Sequence, residues 1–253
     1  MYMPIAIPGT PLDPSDPINK GLVGWWPMWE GAGGKALDIS GKNNHVTLFN
    51  APRWVNGVLF DGVDDYGQVS SSGFNGVTAQ ITMAGWLQTP TPAATRMDII
   101  QRSSSGAGDD WWFNVQNGLV SFYADNITGG VYKQSASAIT SKSIFIAVTY
   151  DGANIRFYIN GALDNTVAAT GAFKTATTTV TVGRNWVGSG YFNGCISKLR
   201  IFNRGLSALE IQRLYVNPNV GLWTPDYARY YVAAAGGADV RNHIIPAYMR
   251  IAA

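Results

Sequence analysis

The 253-residue chain has one cysteine, two histidines and, among sixteen acidic residues, only two glutamates, Glu30 and Glu210. The lone Cys195 excludes a disulfide framework, and a thiolate zinc site, within one chain. Charged residues make up 13%, about half the ~25% usual in soluble domains. Lysine and arginine never run three together and the net charge is +2, so the basic stripe of a nucleic-acid binder is missing. The same shortage of charge and of helix formers excludes a coiled coil, a disordered acidic tail and a helical bundle. No stretch reaches the ~18 apolar residues of a membrane helix, so no membrane insertion is expected. The opening MYMPIAIPGTPLDPSDP lacks the charged region and the continuous apolar run of an export signal.

What is present favours strands and turns. The apolar fraction of 46% supports a sizeable core, and nine Trp and twelve Tyr add bulk that suits a pleated surface. Acidic residues are nearly all Asp, which suits turns, whereas Glu suits helices. Three zones follow. Residues 1–20 carry Pro4, Pro8, Pro11, Pro14 and Pro17, which enforce extended backbone and remove ladder donors, so this zone reads as an arm. Residues 21–216 read as one β domain. Residues 217–253, with YARYYVAAAGGADVRNHIIPAYMRIAA from Tyr227 onward, are too apolar to sit in water and too short to fold alone. Both flanks are expected to fasten the chain to neighbours, through Pro11, Pro14, Trp223, Tyr227, Tyr230, Tyr231 and Tyr248, while the sandwich stands alone.

Period-2 alternation is clearest at Asn154–Ile159, where Ile155, Phe157 and Ile159 share one face. Asn160-Gly161 then predicts a tight hairpin, because both positions of that turn need positive φ. Ile144 to Tyr150 is apolar on both faces and reads as a central strand. Further strands are expected near 22–29, 45–49, 53–60, 65–70, 80–88, 98–101, 111–115, 118–124, 162–168, 178–183 and 192–203, a spacing that indicates a sandwich. One helix is expected. Ser207-Ala-Leu-Glu210 is a capping box, Leu206, Leu209, Ile211 and Leu214 supply an apolar side, and Asn217-Pro218 ends it.

Six segments in order resemble the laminin G-like, concanavalin A-like sandwich family in its pentraxin-related branch. They are GLVGWWPMWEGAGG (21–34), LDISGKNNHVTL (37–48), LFDGVDDYGQV (59–69), ITMAGWLQT (81–89), IAVTYDGANIRFYINGAL (146–163) and GYFNGCISKLRIFNRGLSALEIQRLY (190–215). The resemblance implies an all-β, two-sheet antiparallel jelly roll with one short C-terminal helix. The flank PLDPSDPINKGLVGWW (11–26) resembles proteins encoded among bacteriophage structural genes. That implies a virion component, a capsid decoration or tail-fibre protein made in the host cytoplasm, oligomeric and partnered by other virion proteins. The alternative is a carbohydrate-binding module or adhesin recognising a host-surface glycan.

Enzymes of this fold carry a pattern similar to Glu-x-Asp-x-Glu along one strand, and this chain has none, so no enzymatic activity is expected. Asp64-Asp65 and Asp109-Asp110 are adjacent pairs whose side chains part on a strand. His45 lies in the turn loop and reads as a hydrogen-bonded structural residue. Cys195 reads as a buried inert thiol. Gly31-Ala-Gly-Gly-Lys-Ala36 reads as a turn, since Asp38, Ser40, Gly41 and Asn43 forbid the helix a dinucleotide site requires. The resemblance also implies a structural Ca²⁺, with Asp38, Ser40, Asn43 and Asn44, or Asp61 and Asp64, as oxygen donors. Lys198 stands where the family carries an acid, and it offers an alternative in which its ammonium neutralises Asp38. No other cofactor is expected. Sugar binding, the family's other trait, would fall to Trp111, Trp112, Tyr123, Trp186 and Tyr191, with half-buried sandwich aromatics as the competing reading.

Overall fold

In the computed structural model, the alternating segments pair into two antiparallel sheets laid face to face. The structure describes residues 9–69, 71–89, 96–103, 109–128, 132–140, 142–173 and 179–223. Among these the first strands are β1 (Leu22–Trp26), β2 (Lys35–Ala36), β3 (Val46–Phe49), β4 (Arg53–Val55), β5 (Gly57–Asp61) and β6 (Tyr66–Val69). The middle ones are β7 (Ile81–Gln88), β8 (Met97–Ser103), β9 (Asp109–Gln116), β10 (Leu119–Ala124), β11 (Ile127–Thr128) and β12 (Tyr132–Ala138). The last are β13 (Ser143–Tyr150), β14 (Asn154–Ile159), β15 (Ala162–Ala168), β16 (Thr170–Gly171), β17 (Val180–Val182) and β18 (Asn193–Phe202), followed by helix α1 (Ala208–Val216). The first sheet runs β15-β14-β13-β7-β18-β5-β4, with β1 also paired to β18. The second runs β12-β10-β9-β8-β17-β6-β3-β2, and β11 pairs with β16 alone.

The expected strands form, with one division. The segment 53–60 is two strands, β4 and β5, that fold back on each other around Asn56. β2, β11, β12 and β16 were not expected; β12 reads Tyr-Lys-Gln-Ser-Ala-Ser-Ala and is half exposed, so it lacks the apolar alternation that marks a strand. Asn160 and Gly161 take φ of +49° and +79°, as the hairpin requires.

The main core lies between the sheets and is built on Trp26, Phe60, Phe74, Trp111, Phe113, Phe122, Phe157 and Phe192. A second apolar layer covers the outer face of the first sheet, where Trp25, Phe145, Ala147 and Phe202 meet Ile211 and Leu214 of α1. This explains β13: Ile144, Ile146 and Val148 enter the main core while Phe145 and Ala147 enter the second layer. The capping box forms, with the Glu210 amide donating to Ser207 Oγ at 3.4 Å and the Ser207 amide donating to Glu210 Oε2 at 2.9 Å. Leu209, expected on the apolar side of the helix, faces solvent.

The expected arm is corrected for the residues described. Pro17–Asn19 form a 3₁₀ turn that Asp16 caps, and Ile18 is fully buried in the second apolar layer. Leu12 bridges Leu222, the Asp13 amide donates to the Gly221 carbonyl at 2.8 Å, and Arg213 pairs with Asp16 at 3.0 Å. Residues 217–222 pack there too, with Val220 and Leu222 buried. Apolar residues between the prolines outweigh the prolines' preference for a free arm, so residues 20 and 216 do not divide the packing. Pro11 and Pro14 stay exposed, as does Trp223; Tyr227, Tyr230, Tyr231 and Tyr248 lie outside the described residues.

Candidate functional site

On β9 the pleat sends Trp111 into the main core, fully buried, and Trp112 to the outer face of the second sheet. Trp111 is therefore a core residue and not a sugar-stacking one. Trp112 lies opposite Tyr123 of β10, their ring centroids 4.2 Å apart and tilted by 44°. The Arg96 guanidinium sits 3.9 Å from the Trp112 ring. Tyr123 donates its hydroxyl to Asp125 at 2.5 Å. Beside this pair the Tyr132 hydroxyl meets Ser121 Oγ at 3.0 Å and Gln116 Oε1 at 2.8 Å, and Gln134 donates to both hydroxyls. The result is an aromatic platform rimmed by hydroxyls and amides.

Next to the platform the same face holds a polar cluster that is almost fully buried. Asp98 has no exposed side-chain surface and receives Arg96 at 2.7 Å and 2.8 Å, with Asn114 donating at 3.3 Å. Burial pushes the Asp98 carboxyl above its usual range, and Arg96 and Asn114 offset this only in part. Register places Asn114 opposite Asp98 and Trp112 opposite Gln101. Around the ion pair, Gln101 Nε2, Asn114 Oδ1 and Trp112 Nε1 are buried without a protein partner, a mixed set of donors and acceptor that suits water or hydroxyl groups. A loop over residues 184–191 closes against this cluster. The Asp98 amide donates to the Gly190 carbonyl at 2.9 Å, and a Cβ on Gly190 would sit 2.2 Å from Asp98 Oδ2. Glycine is required there by that contact and by a φ of +60°.

Trp186 and Tyr191 belong to that loop. Trp186 is exposed and Tyr191 half buried, and neither makes a ring contact with the Trp112–Tyr123 pair. Arg184 lies 3.4 Å over Tyr66, which stacks on Phe49 at 4.8 Å, forming a second aromatic patch on the same sheet. Arg96, Asp98, Gln101 and Asn114 were not expected at the site. The polar residues of β8 and β9 alternate with core residues, yet nothing in the sequence says that their side chains converge.

The metal expectation divides. Asp38 is buried and already accepts four hydrogen bonds, from the amides of Trp25, Ser40 and Asn44 at 2.9 Å each and from Ser40 Oγ at 2.7 Å. Its lone pairs are used, Asn43 is exposed with a φ of +59°, and this loop does not fit Ca²⁺. Lys198 forms no ion pair with Asp38 either; the loop's own amides hold the carboxylate. Asp61 and Asp64 do converge, and Asp65 joins them with carboxylate oxygens within 4.8 Å. The separation expected of Asp64 and Asp65 fails because a turn, not a strand, carries them. Asp61 is held below its usual range chiefly by the Val63 amide, with those of Asp64 and Asp65, while burial and the two neighbouring carboxylates raise Asp65. His45 accepts the Asp38 amide at 3.0 Å, a structural role. Burial pushes the Cys195 thiol up to about 11, where it stays protonated at neutral pH.

A family model described as the concanavalin A-like lectin/glucanases superfamily, of the laminin G type, matches residues 61–212. The chain belongs to this superfamily. The binding domain of botulinum neurotoxin DC in complex with SialylT is similar, with a TM-score of 0.63, 15% identity, and coverage of 80% of this chain and 52% of that one. So is the receptor-binding domain of botulinum neurotoxin mosaic serotype C/D, with a TM-score of 0.62, 19% identity, and coverage of 79% and 51%. The chain spans about half the length of these solved structures, and at such identity the likeness to them is one of fold. No curated protein matches it. The concanavalin A-like assignment agrees with the two-sheet jelly roll expected from the sequence.

Proposed function

We propose that the protein is a non-enzymatic carbohydrate-binding module that holds a glycan on the outer face of its second sheet. The observation that carries this reading is the outward Trp112–Tyr123 pair, with the Arg96 guanidinium over the Trp112 ring, and the amide and hydroxyl rim of Gln116, Tyr132 and Gln134, which the buried Ser121 hydroxyl holds from beneath. Sugar rings offer apolar C–H faces to aromatic planes and a girdle of hydroxyls to amides, so both halves of a pyranose find a partner there. The SialylT complex of the botulinum neurotoxin domain supports the reading, as a property of that protein on the same fold. The non-enzymatic part rests on Asp98 and Asp125. Glycoside hydrolysis needs two free, facing carboxyl groups, whereas Asp98 is clamped by Arg96 and Asp125 accepts the Tyr123 hydroxyl.

The setting we propose is a bacteriophage virion, as a capsid decoration or tail-fibre component in several copies, with residues 224–253 contacting other virion proteins. The Pro-rich lead and the aromatic composition of the C-terminal zone support it. A glycan array probed with the full chain tests the binding function; signal on one related set of sugars supports it, and a blank array contradicts it. Mass spectrometry of purified particles tests the setting, which requires the chain in many copies.

A further inference from the structure

The loop that joins β17 to β18 lies on the outer face of the second sheet and carries side chains that neither the core nor the Trp112–Tyr123 pair uses. Its base is closed by the Phe192 amide, which donates to the Gly183 carbonyl at 2.8 Å. Above that base Asn185 and Ser189 hold each other. The Asn185 amide donates to the Ser189 carbonyl at 2.9 Å, the Ser189 amide to Asn185 Oδ1 at 2.8 Å, and Asn185 Nδ2 to Ser189 Oγ at 2.7 Å. Thr181 Oγ1 donates to the Arg184 carbonyl at 2.9 Å. A loop tied in this way presents its remaining side chains with little further ordering cost on binding.

Arg184 is the cation of this loop. Its guanidinium lies 3.4 Å over the Tyr66 ring, and among the described residues it has neither an ion pair nor a side-chain hydrogen bond; its Nε is buried without a partner. A guanidinium laid flat on a ring keeps its forked N–H edge free for a planar anion. The neighbouring acids are engaged elsewhere: Asp98, against which the loop closes, is clamped by Arg96 at 2.7 Å, and Asp61, Asp64 and Asp65 converge on one another. The Tyr191 hydroxyl is also without a partner among the described residues. Gly188, with a φ of +74°, sits between the two donors. A Cβ there would lie 3.6 Å from the Tyr191 hydroxyl and 3.8 Å from Arg184 Nη1, with nothing nearer. The glycine thus leaves open the place that both donors border. That place is open surface, since Trp186, Val187 and Ser189 around it are exposed.

We infer that this loop reads the carboxylate of an acidic sugar. Arg184 receives the carboxylate on its fork, the Tyr191 hydroxyl donates a further hydrogen bond, and the exposed Trp186 ring offers an apolar face to the sugar that carries the acid. The inference rests on the reading of this sheet face as a glycan surface and adds that the glycan is acidic. Register sets the reach required. Trp112 lies opposite Gln101, Gln101 opposite Thr181, and Thr181 opposite Gln68, so the strand of Trp112 and the strand of Tyr66 are three steps apart. At the usual strand spacing that is about 14 Å. The ligand is therefore an oligosaccharide of several units, with neutral rings over the Trp112–Tyr123 pair and its acid at Arg184.

Titration of the full chain with a panel of sialylated and uronic-acid oligosaccharides tests this, each beside its carboxyl-reduced form and beside neutral and sulfated oligosaccharides of the same length. The carboxylated members are expected to bind, and reduction of the carboxyl to an alcohol should weaken binding about tenfold or more, the loss of a charge-assisted hydrogen bond. Arg184→Gln should bind the acid and its reduced form equally, and Arg184→Lys, which keeps the charge without the fork, should recover only part of the preference. Tyr191→Phe should weaken the acid more than the reduced form. Trp112→Ala should weaken both forms alike and leave their ratio unchanged. Binding of neutral sugars alone, preference for sulfated sugars, equal binding of acid and reduced form, or a preference that survives Arg184→Gln would overturn the inference while leaving the glycan reading in place. A panel on which nothing binds would overturn both.

Discussion

Trp111 and Trp112 are neighbours in the chain and lie on opposite faces of β9, one fully buried in the core and the other packed at a tilt against Tyr123, their ring centroids 4.2 Å apart. Their alanine variants should therefore separate stability from binding. Trp111→Ala should cost about 3–5 kcal/mol in urea unfolding, because it empties a large core volume. Trp112→Ala should change stability little and weaken glycan binding about tenfold or more, as loss of an aromatic anchor does. Paired unfolding and titration curves on the two variants check this, and a reversed pattern would refute the assignment of faces.

Asp38 ties the loop 38–44 to β1 by accepting the Trp25 amide. Asp38→Asn keeps the shape but turns an amide group toward donors. It should lower stability by about 3 kcal/mol, since one of the two carboxylate oxygens, and the two hydrogen bonds it accepts, is replaced by a donor. Calcium should not rescue the variant, and addition of calcium or EDTA to the native protein should leave the contribution of this loop unchanged. Chemical denaturation with and without the metal reads both outcomes.

The fold was legible because its signals are local. The Asn160-Gly161 turn, the Ser207–Glu210 box and the two-faced apolar run of β13 each dictate their own geometry. The site was legible only in its aromatics, and then only in part. Trp112 and Tyr123 were among the expected residues, but which of Trp111 and Trp112 points outward depends on strand register, which one residue of slip reverses. Asp98 looked like any strand acid; its partners Arg96 and Asn114 reach it through pairing of β8 with β9, and Gly190 through a loop that folds across the sheet. Ile18 was hidden for a different reason. The prolines just before it set the local backbone, while its burial is decided by α1 and residues 220–222.

Removal of residues 1–20 should accordingly destabilise the sandwich. The truncation strips Ile18 from the second apolar layer, the Leu12–Leu222 bridge and the Asp16–Arg213 pair. Ile18→Ala alone should cost about 2–5 kcal/mol. Thermal melts should place the full chain highest, Ile18→Ala below it and the truncated chain lowest. An unchanged melt would return these residues to the role of a free arm.

Glu210 gives a pH dependence of known sign. Burial raises its carboxyl, but the Arg204 hydrogen bond at 2.7 Å and those from Ser207 outweigh this and hold it below its usual range in the folded protein. The unfolded chain then binds the proton more readily, so the stabilisation is present above the unfolded pKa and is lost as pH falls through the folded one. Glu210→Gln keeps the capping box and removes the ion pair. Its melting temperature should lie below that of the native protein at neutral pH and converge with it in acid.

The most direct measurement of the central claim is a map of glycan contact on the full chain. Isotope-labelled protein titrated with a glycan that binds should shift the indole N–H of Trp112 and the amides of β9 and β10, and leave the indole of Trp25 unmoved. Shifts confined to the first sheet, or saturating binding that survives Trp112→Ala unchanged, would contradict the account.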